Sequence, residues 1–250
     1  MLFRSIGGVD YVRSRNSLEV YKDTDYDLKS GEGGVRYAPG TGIEVDLVYR
    51  ATSGEYKSAQ RYGDDGSALL CNNNCRKNDY DEDSLQARVQ YRPSEDSSLG
   101  GFVGYTRRDY DQGNRHFRGL TAGFDTEWAV SGAVQMRASL GRSIEPDDDA
   151  VTGSYADTWS LNFSPTIQAT GKITVEPYLR FYDRRYKGDQ LAAGQVERKD
   201  KIYMVGAEAD YEFRRNMFLM ASISREQRDS NRANLDYKAN VFGLGLKVQF

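Results

Sequence analysis

A chain of 250 residues with 34 Lys and Arg against 37 Asp and Glu carries a net charge of −3, so it lacks the basic excess of a nucleic-acid binder, and no nucleic acid is expected as a partner. Only 38% of its residues are hydrophobic, and the mean hydropathy is −0.72, which leaves little to fill a soluble core. Disorder is excluded by 18 Tyr, 10 Phe and 25 Gly set in patterned segments, and no stretch approaches the ~20 apolar residues of a transmembrane helix. A barrel strand needs only ~9–11 residues, half of them facing a polar lumen, so low hydropathy with abundant Tyr and Gly suits a transmembrane β-barrel.

The pattern along the chain is a period-two alternation, which sets one oily and one wet face on each strand. Two weaker segments come first, near residues 3–13 and 25–37. In residues 43–50, Ile43, Val45, Leu47 and Tyr49 share one face, and Glu44, Asp46 and Arg50 share the other. Leu85, Ala87, Val89 and Tyr91 then alternate with Gln86, Arg88, Gln90 and Arg92, and Leu99, Val103 and Tyr105 with Gly100, Phe102 and Gly104. Leu120, Ala122, Phe124 and Trp128 oppose Thr121, Gly123, Asp125 and Glu127. Val134, Met136, Ala138 and Leu140 oppose Gln135, Arg137 and Ser139. Trp159, Leu161 and Phe163 follow, then Ile173, Val175, Leu179 and Phe181 against Glu176, Tyr178 and Arg180. Tyr203, Val205, Ala207, Ala209, Tyr211 and Phe213 oppose Glu208, Asp210 and Glu212. Met217, Leu219, Ala221 and Ile223 make a strand blurred by Phe218 and Met220. The last strand carries Phe242, Leu244, Leu246, Val248 and Phe250 on one face.

About twelve strands result, an even number as expected of bacterial barrels. The connections alternate in length. Short ones fall near residues 39–42, 93–98, 129–132, 168–171 and 214–216. Long ones fall near 14–24, 51–82, 109–116, 145–155, 185–200 and 226–237. Short periplasmic turns and long extracellular loops are the asymmetry of outer-membrane barrels, and they put both ends of the strand series on the periplasmic side. The expectation is therefore all-β: a single antiparallel transmembrane barrel over residues 1–250, in a bacterial outer membrane. A soluble β-barrel or sandwich is the rival fold. It would leave a core of Gly, Ala, Val and Tyr, and would not account for the alternating connections. Residues 1–5 hold one Arg and no apolar signal region, which leaves a mature form and an N-terminally truncated piece both open.

The final strand resembles the insertion signal of outer-membrane proteins, an aromatic end residue with apolar residues at every second place: Phe242, Leu244, Leu246, Val248 and Phe250. The implied partner is the outer-membrane assembly machinery, which reads that signal by strand addition. The last hairpin is more particular. Arg228-Asp-Ser-Asn231, Asp236-Tyr237 and Gly243-Leu-Gly-Leu-Lys-Val-Gln-Phe250 resemble β-barrel porins encoded with exopolysaccharide operons, the EpsL type, over about the last thirty residues. The resemblance implies an outer-membrane component of polysaccharide export. Proteins of that type are longer, which favours missing strands, and they offer no catalytic residues to carry over.

No enzyme is expected. Barrel hydrolases rest on a His beside Ser or Asp, and His116 is the only His, placed in a short outer loop with no Ser motif near it. No cofactor is called for. Cys71 and Cys75 stand in Cys-Asn-Asn-Asn-Cys, read as a disulfide in the longest outer loop, which the periplasm permits. No metal site is assigned, because no second Cys pair exists. The acidic runs at 79–83 and 147–149 read as solvated loop charge rather than Ca²⁺ ligands.

The lumen face carries the candidate site. Tyr178, Arg180, Tyr182 and Arg184 are expected to point inward with Glu176, and Arg50 and Arg108 to join them near the long loops. Tyr rings offer flat faces to sugars and Arg offers planar forks to carboxylates. A basic outer vestibule above a mostly acidic inner end (Glu44, Asp46, Asp125, Glu127, Glu176, Asp210 and Glu212) suits an anionic saccharide. The competing reading is that these acids and bases pair and close the lumen. On the outward phase, Arg107, Arg118, Arg142, Arg185, Lys201 and Arg225 are expected at the outer-leaflet end, facing membrane lipid and lipopolysaccharide phosphates. Function then reduces to two readings: a porin-like channel linked to exopolysaccharide export or the passage of anionic saccharides, or a non-conducting structural or adhesion barrel whose extracellular loops bind.

Overall fold

The structure is a computed structural model, and it describes residues 2–17, 25–40, 42–58, 77, 79–111, 116–146, 155–187 and 196–248. Cys71, Cys75 and Phe250 lie outside these residues, as does the acidic run 147–149.

Twelve strands make up the described chain. They are β1 (Leu2–Ser14), β2 (Tyr26–Ala38), β3 (Ile43–Tyr56), β4 (Tyr80–Ser94), β5 (Ser97–Tyr110) and β6 (His116–Ser131). Then come β7 (Val134–Pro146), β8 (Tyr155–Thr170), β9 (Ile173–Lys187), β10 (Lys199–Arg214), β11 (Met217–Ser230) and β12 (Tyr237–Val248). They form one sheet in sequence order, each strand antiparallel to the next, with β1 and β12 as its two edges. The strand count matches the sequence pattern, but the strands run longer than the oily segments. β3 continues past Arg50 to Tyr56, and β11 past Ser224 to Ser230. His116, expected in a loop, is the first residue of β6, opposite Asp109.

The short connections are tight hairpins. At the β2–β3 turn, Gly42 has φ +73° and its carbonyl accepts the Arg92 amide at 2.8 Å. A Cβ there would stand 2.5 Å from the Arg92 carbonyl oxygen, so both backbone angle and space require glycine. Register shifts occur at Tyr91/Ser94, Ala129/Ser131, Gln168/Thr170 and Glu212/Arg214, all beside short turns. An extra residue there tightens the twist where the chain reverses. The first residues of β1 and the last of β12 lie at this same end, opposite Ala38 and Met217.

The two faces differ in what they can reach. On the polar face, side chains touch partners two strands away: Arg50 on β3 reaches Asp10 on β1 at 2.7 Å, Arg88 on β4 reaches Glu32 on β2 at 3.4 Å, and Arg184 on β9 reaches Glu145 on β7 at 3.4 Å. Skipping a strand requires the sheet to curl toward that side, so the polar face is concave. The convex face carries Leu47, Leu85, Val103, Leu120, Leu161, Leu179, Val205 and Leu244, all exposed. Aromatic residues bound this apolar band: Tyr37, Tyr91, Trp128 and Tyr211 toward the short turns, and Tyr49, Tyr105, Trp159 and Tyr203 toward the long connections. On β10, Tyr203 and Tyr211 are eight steps apart, about 27 Å along the strand at ~3.4 Å per residue, which at a tilt of ~35–45° is about 19–22 Å of height, near the ~25 Å apolar band of an outer-membrane barrel. Accessible surface totals 15,690 Å². A compact soluble chain of 28.2 kDa would expose about 11,000 Å². The excess fits an extended sheet rather than a packed soluble core.

The one cluster of buried apolar residues sits at the long-connection end, among the described residues. Tyr56, Tyr80, Tyr110, Phe117 and Tyr155 pack together, backed by Tyr26, Leu28 and Ile144. Ring centroids stand 5.8 Å apart for Tyr26–Tyr56 and Tyr80–Tyr110, and 5.1 Å for Phe117–Tyr155.

Candidate lumen surface

The concave face is built from alternate residues of each strand, and register decides which groups meet. On β9, Glu176, Tyr178, Arg180, Tyr182 and Arg184 fall on it in line, opposite Glu208, Gly206, Met204, Ile202 and Asp200 of β10. The Arg180 guanidinium lies 4.5 Å from the Tyr178 ring centroid, and that of Arg184 5.5 Å from the Tyr182 ring. Gly206 makes room for this arrangement, since a Cβ there would stand 2.5 Å from the Tyr178 ring. Tyr182 donates its hydroxyl to the Asn162 side-chain oxygen at 3.4 Å.

All six expected lumen residues lie on the concave face, but their electrostatics divide them. Arg50 is matched by Asp10 at 2.7 Å and Glu32 at 3.8 Å. Arg108, 4% exposed, is held by Glu82 at 2.5 Å and stacks 4.3 Å over the Tyr80 ring. Arg184 has Glu145 at 3.4 Å. Arg180 has no carboxylate within ion-pair distance among the described residues. The basic vestibule expected from sequence is thus largely neutralised on β3 and β5, and on β9 it is left at Arg180, since Arg184 meets Glu145.

The acidic inner end divides in the same way. Asp46 accepts Nε and Nη2 of Arg36 at 2.8 Å each, with Glu44 3.0 Å from the same guanidinium. Glu127 is paired with Arg137 at 3.1 Å. On β9 and β10, Glu176 faces Glu208 directly, with Asp210 and Glu212 beyond. Among the described residues none of these four has a basic partner. Like charges opposite each other on a strand pair are unfavourable, so this stretch of wall favours cations or water.

Two groups were missed by the sequence reading. Arg228 lies on the concave face of β11, opposite Ile202 and Tyr237, with its guanidinium 5.1 Å from the Tyr237 ring and 3.8 Å from Asp200. Asp200 also takes Arg198 at 2.7 Å, and both side chains are fully buried. Carrying the alternation of Met217, Leu219, Ala221 and Ile223 on past residue 224 would have put Arg228 on the inner face. The aromatic cluster had no such signal, because its members sit at strand ends that the sequence reading assigned to loops or weak segments. One guanidinium nitrogen each of Arg50, Arg108, Arg184 and Arg228 is buried with no hydrogen-bond acceptor among the described residues.

The outward residues fall as expected. Arg107, Arg118, Arg142, Arg185, Lys201 and Arg225 all take the convex phase. Phe242, Leu244, Leu246 and Val248 do so on β12.

An antiparallel meander with an oily convex face between aromatic girdles, a charged concave face and connections alternating in length is the fold of an outer-membrane β-barrel. The family model described as "Putative beta-barrel porin 2" matches residues 98–250, and the chain belongs to that family. No curated protein matches. Solved structures with the same fold include the copper transporter OprC (TM-score 0.57, 12% identity, covering 90% of this chain and 41% of that one). The FrpB iron transporter from Neisseria meningitidis, F3-3 variant, is similar at TM-score 0.54 and 10% identity, over 98% of this chain and 44% of that one. The alcaligin outer-membrane receptor FauA from Bordetella pertussis is similar at 0.52 and 14%, over 88% and 43%. The chain thus spans less than half the length of these proteins, and at such identities the likeness concerns the fold.

Proposed function

We propose that this chain forms the wall of an outer-membrane channel that passes anionic saccharides, in keeping with a role in exopolysaccharide export. The observation that carries the reading is the β9 row: Tyr178 and Tyr182 alternate with Arg180 and Arg184, and Arg180 is free of any carboxylate among the described residues. Stacking on Tyr is tolerant of sugar sequence, and a guanidinium fork recognises carboxylates. Buried guanidinium donors without a protein acceptor on Arg184 and Arg228 support an anion or water at the same height. The carboxylates of Glu176, Glu208, Asp210 and Glu212 further along would keep the polymer from lodging, as a conducting path requires.

The test is conductance of the purified protein in planar bilayers, with an acidic oligosaccharide as blocker. Arg180→Ala/Arg184→Ala should weaken the block on the order of tenfold, the loss of ~1.4 kcal/mol of contact energy. Absence of conductance would leave a non-conducting structural or adhesion barrel ahead. That second reading draws on the aromatic cluster and the matched Arg50 and Arg108, which crowd the outer end of the wall from β2 to β8.

A further inference from the structure

The convex face is not evenly oily. Across β8 to β11 two adjacent rows form a groove of about 480 Å³. In one row Leu161, Phe181 and Tyr203 are followed by Gln227; in the other Phe163, Leu179 and Val205 are followed by Arg225. The volume falls in the ~300–1,000 Å³ range of small-molecule sites. Its floor is apolar, and its β11 end is polar. Just beyond Phe163 and Leu179, β8 and β9 carry Pro165 and Pro177, and the ladder resumes only at Ile167 and Val175. Proline has no amide hydrogen to give to a ladder.

The ion pairs sort the six outward cations. Arg107 is held by Asp109 at 2.6 Å, Arg142 by Asp157 at 2.9 Å and Arg185 by Asp183 at 3.5 Å. Arg118, Lys201 and Arg225 have no carboxylate within ion-pair distance among the described residues, and of these Lys201 stands opposite Asp183 and Asp229 in register. Two of these three flank the groove. Arg225 lines its polar end, and Lys201 precedes Tyr203 by two residues on the same face of β10. An unpaired cation on a lipid-facing surface is costly unless it meets an anion at the membrane interface.

We propose that the groove seats one acyl chain of a phosphorylated outer-leaflet lipid, lipopolysaccharide in an outer membrane, with Arg225 and Lys201 on its phosphate. The chain would cross Val205, Leu179 and Phe163 away from the charged end. Strands in such barrels tilt by ~35–45° from the membrane normal, so a groove running at right angles to them lies about 45–55° from the normal, a slant that a flexible acyl chain in a leaflet can follow. The site lies on the opposite face from the lumen row and is independent of what the channel carries.

The experiment is native mass spectrometry of the full chain extracted from outer membranes in mild detergent, followed by delipidation and titration with purified lipopolysaccharide. One bound lipid is expected to survive extraction. Arg225→Gln with Lys201→Gln should lower its retention about tenfold. Leu179→Trp, which fills the groove and leaves both cations, should lower it to a similar degree, and Arg107→Gln should leave it unchanged. Lipopolysaccharide stripped of its phosphates should bind as weakly to the parent protein as the intact lipid binds to the double variant. Retention unchanged in the double variant, or undiminished by removal of the phosphates, would overturn the phosphate clamp. Retention unchanged by Leu179→Trp would overturn the acyl seat.

Discussion

The wall formed by β2–β5 and the wall formed by β9–β11 follow one sequence pattern and reach opposite electrostatic outcomes. On the first, inward bases find inward acids: Arg36 with Asp46, Arg50 with Asp10, Arg88 with Glu32, Arg108 with Glu82. Its outer end is filled by Tyr56, Tyr80 and Tyr110. On the second, among the described residues, Arg180 stands without a carboxylate, and Glu176, Glu208 and Asp210 stand without a base. The difference lies in register. Asp46 is placed opposite both Arg36 and Arg88, whereas Glu208 is placed opposite Glu176. Alternation fixes which face a charge takes. The ladder offset fixes whether that charge is neutralised, and only the charges left over can act on a passing solute.

The largest expected effect removes the comparison altogether, because both walls depend on insertion. Val248→Asp, or deletion of Phe250, should leave the protein in the periplasm, with outer-membrane fractions lacking a heat-modifiable barrel band. Charge on the lipid face costs up to ~2–4 kcal/mol at mid-membrane for Arg or Lys and less for Asp. Normal membrane yield of both variants would count against β12 as the assembly signal.

Next in size is a break within the matched wall. Glu82→Ala strands the buried Arg108 guanidinium, and removing one partner of a buried pair costs about 3–5 kcal/mol. Arg180→Ala on the unmatched wall loses only a cation–π contact, about 0.5–1 kcal/mol. Urea unfolding in detergent should therefore separate the two variants clearly. Equal midpoints would mean that the two walls are not energetically distinct.

Function should run the other way. Arg180→Ala should weaken block by an acidic oligosaccharide, whereas Arg50→Ala, whose charge is already met by Asp10 and Glu32, should change it less than twofold. A comparable loss in both would erase the division of the lumen proposed here. The smallest effect expected is that of Gly206→Ala. Its Cβ would stand 2.5 Å from the Tyr178 ring and 2.8 Å from the Ile223 carbonyl oxygen, so the ring must turn away from Arg180 and the β11 backbone must give by a few tenths of an ångström. Block should weaken a few-fold with conductance nearly unchanged, and an unaltered block would show that the ring's position does not matter.

The sequence by itself determined the number of strands, the face each residue takes and the alternation of short and long connections. All three follow from period-two patterning and from Gly and Pro at turns, which act over a few residues. It also placed Tyr178, Arg180, Tyr182 and Arg184 on the inner face and the six outward cations on the other. Strand ends were less legible, because beyond the membrane band the residues need no oily face, and β3, β4 and β11 continue into what reads as loop. Tertiary structure alone decided the rest: which inward charges cancel, that Arg228 and Asp200 meet, that rings from five strands pack together at one end, and that an apolar groove ends on Arg225. Each of these depends on contacts between residues tens of positions apart, and a strand pattern that repeats every second residue carries no information about which neighbour a side chain will face.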